Sequence, residues 1–144
     1  MRQAVATRLE QLGQAAEAEV LAGLERHRDL LLAWNHSAHL ISRADQSPAR
    51  LVRHYLDSIE AVPLLPTQGP LVDVGSGGGF PGLIWSLLRP RQKVVLVERE
   101  ARKAAFLRDA AQQLSLDRLT VEQEQISRPE QLMARKAAVL TSRA

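Results

Sequence analysis

A chain of 144 residues that is 45% hydrophobic has enough apolar side chains for one core and too few residues for two full-sized domains. Nineteen Lys and Arg against sixteen Asp and Glu leave a net charge of +3, which suits an anionic partner without demanding one. The absence of cysteine excludes disulfides, thiolate metal sites and thiol catalysis, and the four histidines lack ligand spacing to carboxylates, so no metal is expected. No apolar run reaches the length of a membrane span. The opening MRQAVATRLEQLGQAAEAE carries acids where a signal peptide has its apolar centre, so a cytoplasmic chain without a membrane partner is expected.

Helix period comes first along the chain. In EAEVLAGLERHRDLLLAWN the apolar side chains Val20, Leu24, Leu31 and Trp34, widened by Leu21 and Leu30, fall on one stripe and predict a helix over 17–34. His27 lies within that stripe and reads as a packing or hydrogen-bonding group. In SPARLVRHYLDSIEAVP, Ser47 is placed to cap a second helix and Pro48 to open its first turn. Leu51, Val52, Tyr55, Leu56 and Ile59 form its buried face, and Arg53, His54 and Asp57 share the opposite one. Residues 1–66 are therefore expected to be a helical extension packed on a core formed by 67–144.

Beyond Pro63 and Pro66 strands and helices alternate. LVDV, KVVLVE, LTVEQ and AAVLTS read as four strands; PGLIWSLL, ARKAAFLRDAAQQL and PEQLMAR read as the intervening helices, the second with Ala104, Leu107, Ala111 and Leu114 inward. This alternation predicts an α/β, Rossmann-like parallel sheet. Ligands of such sheets bind beyond the carboxyl ends of the strands, which places residues 75–82, 98–100, 124–127 and 142–144 at one edge.

The glycine run LVDVGSGGGFPG satisfies two fingerprints. Gly77, Gly79 and Gly82 fit the dinucleotide pattern GxGxxG, whereas Gly75, Gly77 and Gly79 fit the tighter GxGxG of nucleoside-binding methyltransferases. A pyrophosphate needs free N–H groups at the helix start, and Pro81 removes one of them, while Phe80 adds an apolar wall better suited to an adenosine or sulfonium chain. Asp73 can accept hydrogen bonds from loop amides, or from the amino group of a ligand. Glu98, ending the second strand, can accept both hydroxyls of a ribose, a feature of NAD and S-adenosylmethionine sites alike.

The ordered set WN, RHYLDS, DVGSGGGFPG and SRA resembles the RsmG (GidB) family of bacterial ribosomal RNA methyltransferases. LLLAWNHSAHLIS is similar to that family's W-N-x-x-x-N-L-(T/I)-S element and LVRHYLDSI to its RHxxDS helix; LVE with RKAAFLR and the final TSRA continue the match, which covers about residues 30–144. The resemblance implies a class I methyltransferase that moves a methyl group from S-adenosylmethionine to N7 of a guanine in 16S ribosomal RNA of the small ribosomal subunit. It implies cofactor contacts at Gly75 and Phe80, at Ile126 and Ser127, and at Arg143; Gly77 and Gly79 join them from the GxGxG pattern, and Glu98 is the ribose acid by analogy with the wider methyltransferase fold. Arg143 is the expected catalytic residue, holding the cofactor or bonding guanine O6 or N7. Arg53, His54, Asp57 and Ser58 match RHxxDS without an assigned role.

The chain also departs from the family pattern. Gln125, Ile126 and Ser127 stand where the family has Arg, an apolar residue and Glu; Ala138 replaces an Asp; and the sequence ends at Ala144, so the expected sheet is cut short after its fourth strand. A non-catalytic cofactor- or RNA-binding fragment is accordingly one alternative, and a nicotinamide-dependent oxidoreductase another. Guanine N7 already carries a lone pair, so no general base is sought. Arg89, Arg91, Lys93, Arg99, Arg102, Lys103 and Arg108 are candidate phosphate contacts for the RNA or the assembled subunit, and the protein is expected to be a monomer.

Overall fold

A computed structural model of the chain describes residues 1–142. Three helices come first: α1 (Arg2–Gln11), α2 (Ala18–Ala38) and α3 (Pro48–Glu60). Strands and helices then alternate as β1 (Leu71–Val74), α4 (Gly82–Leu88), β2 (Val94–Val97), α5 (Ala101–Gln113), β3 (Leu119–Glu122), α6 (Pro129–Met133) and β4 (Val139–Ser142). The four strands form one parallel sheet in the order β3-β2-β1-β4, with Leu71 in register with Val94 on one side and Val139 on the other. The chain moves outward from β1 through β2 to β3 and then returns to the far side of β1. The switch point therefore lies beyond the carboxyl ends of β1 and β4, as the alternating pattern predicts.

Strand periodicity divides the side chains between two faces. Leu71, Leu96 and Val94 join the main cluster, where Leu83, Ile84, Phe106 and Leu107 from α4 and α5 meet Leu24, Leu31, Tyr55 and Ile59 from α2 and α3. Val72, Val95 and Val97 face the other way and are covered by Val74, Ile126 and Ala137. Both faces of β2 are covered, and all four of its residues are buried, which is why VVLV is an unbroken apolar run instead of an alternating one.

Helix α1 has no counterpart in the sequence reading. Its apolar signal is only Val5 and Leu9, four residues apart and both buried, among polar neighbours. Arg8 donates to both carboxylate oxygens of Glu60 on α3, at 2.5 and 2.7 Å, an exposed pair that orients the helix and contributes little stability. Helix α2 runs past residue 34 to Ala38 and closes with His39 in the left-handed region (φ 49°), its N–H bonded to the Asn35 carbonyl. Helix α3 starts where expected, with Pro48 in its first turn, but the Ser47 hydroxyl donates to the Ala44 carbonyl and does not cap the helix. His54 also departs from expectation. Instead of sharing a solvent face with Arg53 and Asp57, it stacks on Phe80 with ring centroids 5.3 Å apart and planes at 28°.

Candidate functional site

The glycine run between β1 and α4 is a tightly folded loop. Gly75, Gly77 and Gly79 have φ of 74°, 51° and 88°, the left-handed region that side chains disfavour. At Gly79 a Cβ would also sit 3.0 Å from Leu83 Cβ and 3.2 Å from His27 Nε2. Gly82 is needed for a different reason: a Cβ there would lie 2.5 Å from Leu96 Cδ2 and 2.7 Å from Asp73 Cβ. Its bare backbone lets α4 lie directly on the sheet.

The loop spends its own amides on internal bonds. Gly75 and Ser76 N–H donate to the Val97 carbonyl, Gly79 N–H to Ser76, and Leu83 N–H to Gly79. Gly82 N–H, the first of α4, donates to Asp73 Oδ2 at 3.0 Å. Asp73, buried at the end of β1, thus fixes the helix start through a loop amide, the first of the two roles its position allows. A pyrophosphate would need these same donors, so the dinucleotide reading of GxGxxG loses its main binding element.

Glu98 is buried and joins two loops. Its Oε2 accepts from Gly77 N–H and its Oε1 from Glu100 N–H, each at 2.9 Å. Burying a carboxylate is tolerated because both oxygens are bonded, and each oxygen retains a further lone pair. The acid expected to meet a ribose therefore also sets the shape of the glycine loop.

His27 supports the loop from behind. Its Nε2 lies 3.0 Å from the Gly78 carbonyl, which can only accept, so Nε2 carries the proton; its Nδ1 lies 2.8 Å from the Tyr55 hydroxyl and accepts from it. Burial lowers its pKa to about 4 and pushes that of Tyr55 up. The unfolded histidine protonates near its ordinary value while the folded one stays neutral. Stability is therefore lost progressively as pH falls from about 6.5 towards 4. The expected loss from this one group between about pH 7 and pH 5 is roughly 2 kcal/mol. Urea unfolding should show that slope reduced in His27→Phe; an unchanged slope would mean that the buried ring is not its source.

Two cavities flank the loop and share Gly75. The smaller, 160 Å³, is lined by Val74, Gly75, Val97, Arg99, Glu124, Gln125 and Ile126. The larger, 380 Å³, has Gly75–Gly78 and Phe80 as one wall and Leu40, Ile41, Ser42, Asp45 and His54 as the other. The segments after β1, β2 and β3 thus converge as the sheet topology requires. Ile126 lines the smaller cavity, whereas Ser127 does not. The N–H and hydroxyl of Ser127 bond Gln131 Oε1 at the start of α6, at 2.9 and 3.3 Å, so its amide is engaged within the chain. Arg143 lies outside the described residues. Among the described residues no cluster of three or more His, Asp or Glu could hold a metal ion.

The turn over the larger cavity carried no functional expectation beyond its similarity to a family element. Asn35 shows how it is built: its Oδ1 accepts from Ile41 N–H at 2.9 Å, folding the chain after α2 back over the loop. The basic candidates have different surroundings. Arg89 donates to the Val62 carbonyl, Arg102 to the Ser37 carbonyl, and Lys103 pairs with Glu100, so these serve the fold. Arg99 lines the smaller cavity. Arg43, Arg50 and Arg53 are exposed.

The sequence model of GidB, described as rRNA small subunit methyltransferase G, matches residues 20–144. Proteins named ribosomal RNA small subunit methyltransferase G are similar along nearly the whole chain. The Halorhodospira halophila protein is 39% identical over 143 residues, covering 99% of this chain and 66% of its own length. The Granulibacter bethesdensis protein is 42% identical over 133 residues, covering 92% and 60%, and that of Neisseria gonorrhoeae is 34% identical over 144 residues, covering 100% and 66%. The chain thus spans about 60–66% of the length of these relatives. With the family match running through both the helical layer and the glycine-loop sheet, the chain belongs to the rRNA small subunit methyltransferase G (GidB) family.

Proposed function

We propose that the protein binds S-adenosylmethionine across the glycine loop and methylates N7 of a guanine in 16S ribosomal RNA of the small ribosomal subunit. Residues 67–144 serve as the methyltransferase core, and residues 1–66 as a helical extension that roofs the loop. The observation that carries the reading is Gly75, whose backbone borders both cavities: one ligand can lie across the loop with its two ends in separate chambers. The donor set suits a nucleoside without phosphates, because the amides of Gly75, Ser76, Gly77, Gly79 and Gly82 are bonded within the chain. Glu98 would accept from ribose hydroxyls, Ile126 and Val97 would face the adenine, and Gly75, Gly77, Gly79 and Phe80 would shape the remaining path. Ser127 and Arg143 are retained as contacts only on the family resemblance.

When bound, the cofactor would supply a methyl group on a sulfonium to the lone pair of guanine N7, the departing sulfide keeping the old bonding pair. No proton moves, so the chain's residues contribute alignment and field, not acid–base chemistry. His27 fits that requirement: it is neutral and fully bonded behind the loop. The test is transfer of labelled methyl to small subunits from cells lacking the modification. Label recovered as 7-methylguanosine is expected. Label on another atom, or on protein, would refute the assignment.

A further inference from the structure

We infer that Asp45, on the helical extension, holds the α-ammonium group of the cofactor's amino-acid end; this rests on the proposed binding of S-adenosylmethionine across the loop. Val97 and Ile126, the residues given to the adenine, line the smaller chamber. The other end of the same ligand, an amino acid carrying an ammonium and a carboxylate on one carbon, then falls in the 380 Å³ cavity across Gly75.

The two walls of that cavity match the two charges. Asp45 is the only acid among the described residues that line it. Its side chain is 31% exposed, and Ser42 holds it in place through a hydroxyl that donates to Oδ2 at 2.6 Å and accepts from the Asp45 N–H at 3.2 Å. The other oxygen, Oδ1, lies 3.8 Å from His54 Nε2, too far for a hydrogen bond, so it keeps its lone pairs for a ligand. His54 is fixed in turn by its stack on Phe80 and does not depend on Asp45 for its position. A carboxylate oxygen left open in a half-covered cavity suits a cationic donor, whose charge-assisted bond is the strong kind. On the facing wall Gly78 is the counterpart: its carbonyl accepts from His27, while its N–H has no acceptor among the described residues. An acid opposite an open amide is the polarity that a zwitterion needs. Leu40, Ile41 and Phe80 complete the lining and suit the methylenes between the sulfur and the charged carbon. The extension over the loop would thus be part of the cofactor site and not only its cover.

The test titrates S-adenosylhomocysteine and its deamino analogue, which keeps the carboxylate and lacks the ammonium, into the wild-type chain and Asp45→Asn. The wild type should prefer S-adenosylhomocysteine by about tenfold. Asp45→Asn should lose that preference, binding S-adenosylhomocysteine about tenfold more weakly and the deamino analogue within about twofold of wild type, which also shows that the variant is folded. Equal binding of the two ligands by the wild type, which needs no variant, would overturn the inference, as would a preference that survives in Asp45→Asn or an equal loss of both ligands there; in each case the cofactor assignment stands. A wild-type chain that binds neither ligand would overturn the cofactor assignment and the role of Asp45 with it.

Discussion

Gly82→Ala is expected to destabilise the protein by about 3 kcal/mol. The added methyl would lie 2.5 Å from Leu96 Cδ2, 2.7 Å from Asp73 Cβ and 2.8 Å from Asp73 Oδ2. Leu96 is fully buried on β2 and has no room to turn away, and Asp73 Cβ is tied to the strand backbone. Relief must therefore come from lifting α4 off the sheet. That movement stretches the 3.0 Å bond from Gly82 N–H to Asp73 and shifts the glycine loop that leads into the helix. The unfolding midpoint in urea should fall with an unchanged slope; a variant within about 0.5 kcal/mol of wild type would show that α4 is not packed this closely.

Glu98→Gln should act on both the fold and the ligand. Gly77 N–H and Glu100 N–H each donate to one carboxylate oxygen at 2.9 Å, and the group is only 5% exposed. A glutamine offers one oxygen and one amino group, so one of the two amides faces another donor. An unsatisfied buried donor costs about 2 kcal/mol, and S-adenosylmethionine affinity should fall roughly thirtyfold through the displaced loop and the lost ribose acceptor. Calorimetric titration measures it; an affinity within about threefold of wild type would remove Glu98 from the site.

The sheet was legible because its code is local. LVDV, VVLV and the glycine run between them specify strand, turn and helix start from residue types alone, and the topology rule then brings the segments after β1, β2 and β3 together. Helix α1 was not legible, since two buried side chains in ten residues leave almost no period, and its position depends on Val5 and Leu9 meeting core side chains far along the chain. His54 was assigned to solvent by helical periodicity, which does not register an aromatic ring from a distant loop against which it stacks. The turn that carries Ser42 and Asp45 was not legible for a similar reason. The bond from Ile41 N–H to Asn35 Oδ1 and the packing of Leu40 and Ile41 on the core bring it over the loop. Ser127 shows the converse, where a position similar to a family contact is engaged by Gln131 instead.

The central claim is that this loop holds an adenosyl cofactor and not a dinucleotide. Calorimetric titration of the wild-type chain with S-adenosylmethionine and, separately, with NAD tests it most directly. Saturable binding of S-adenosylmethionine with no heat from NAD is the predicted result. Tight NAD binding with no response to S-adenosylmethionine would contradict the account.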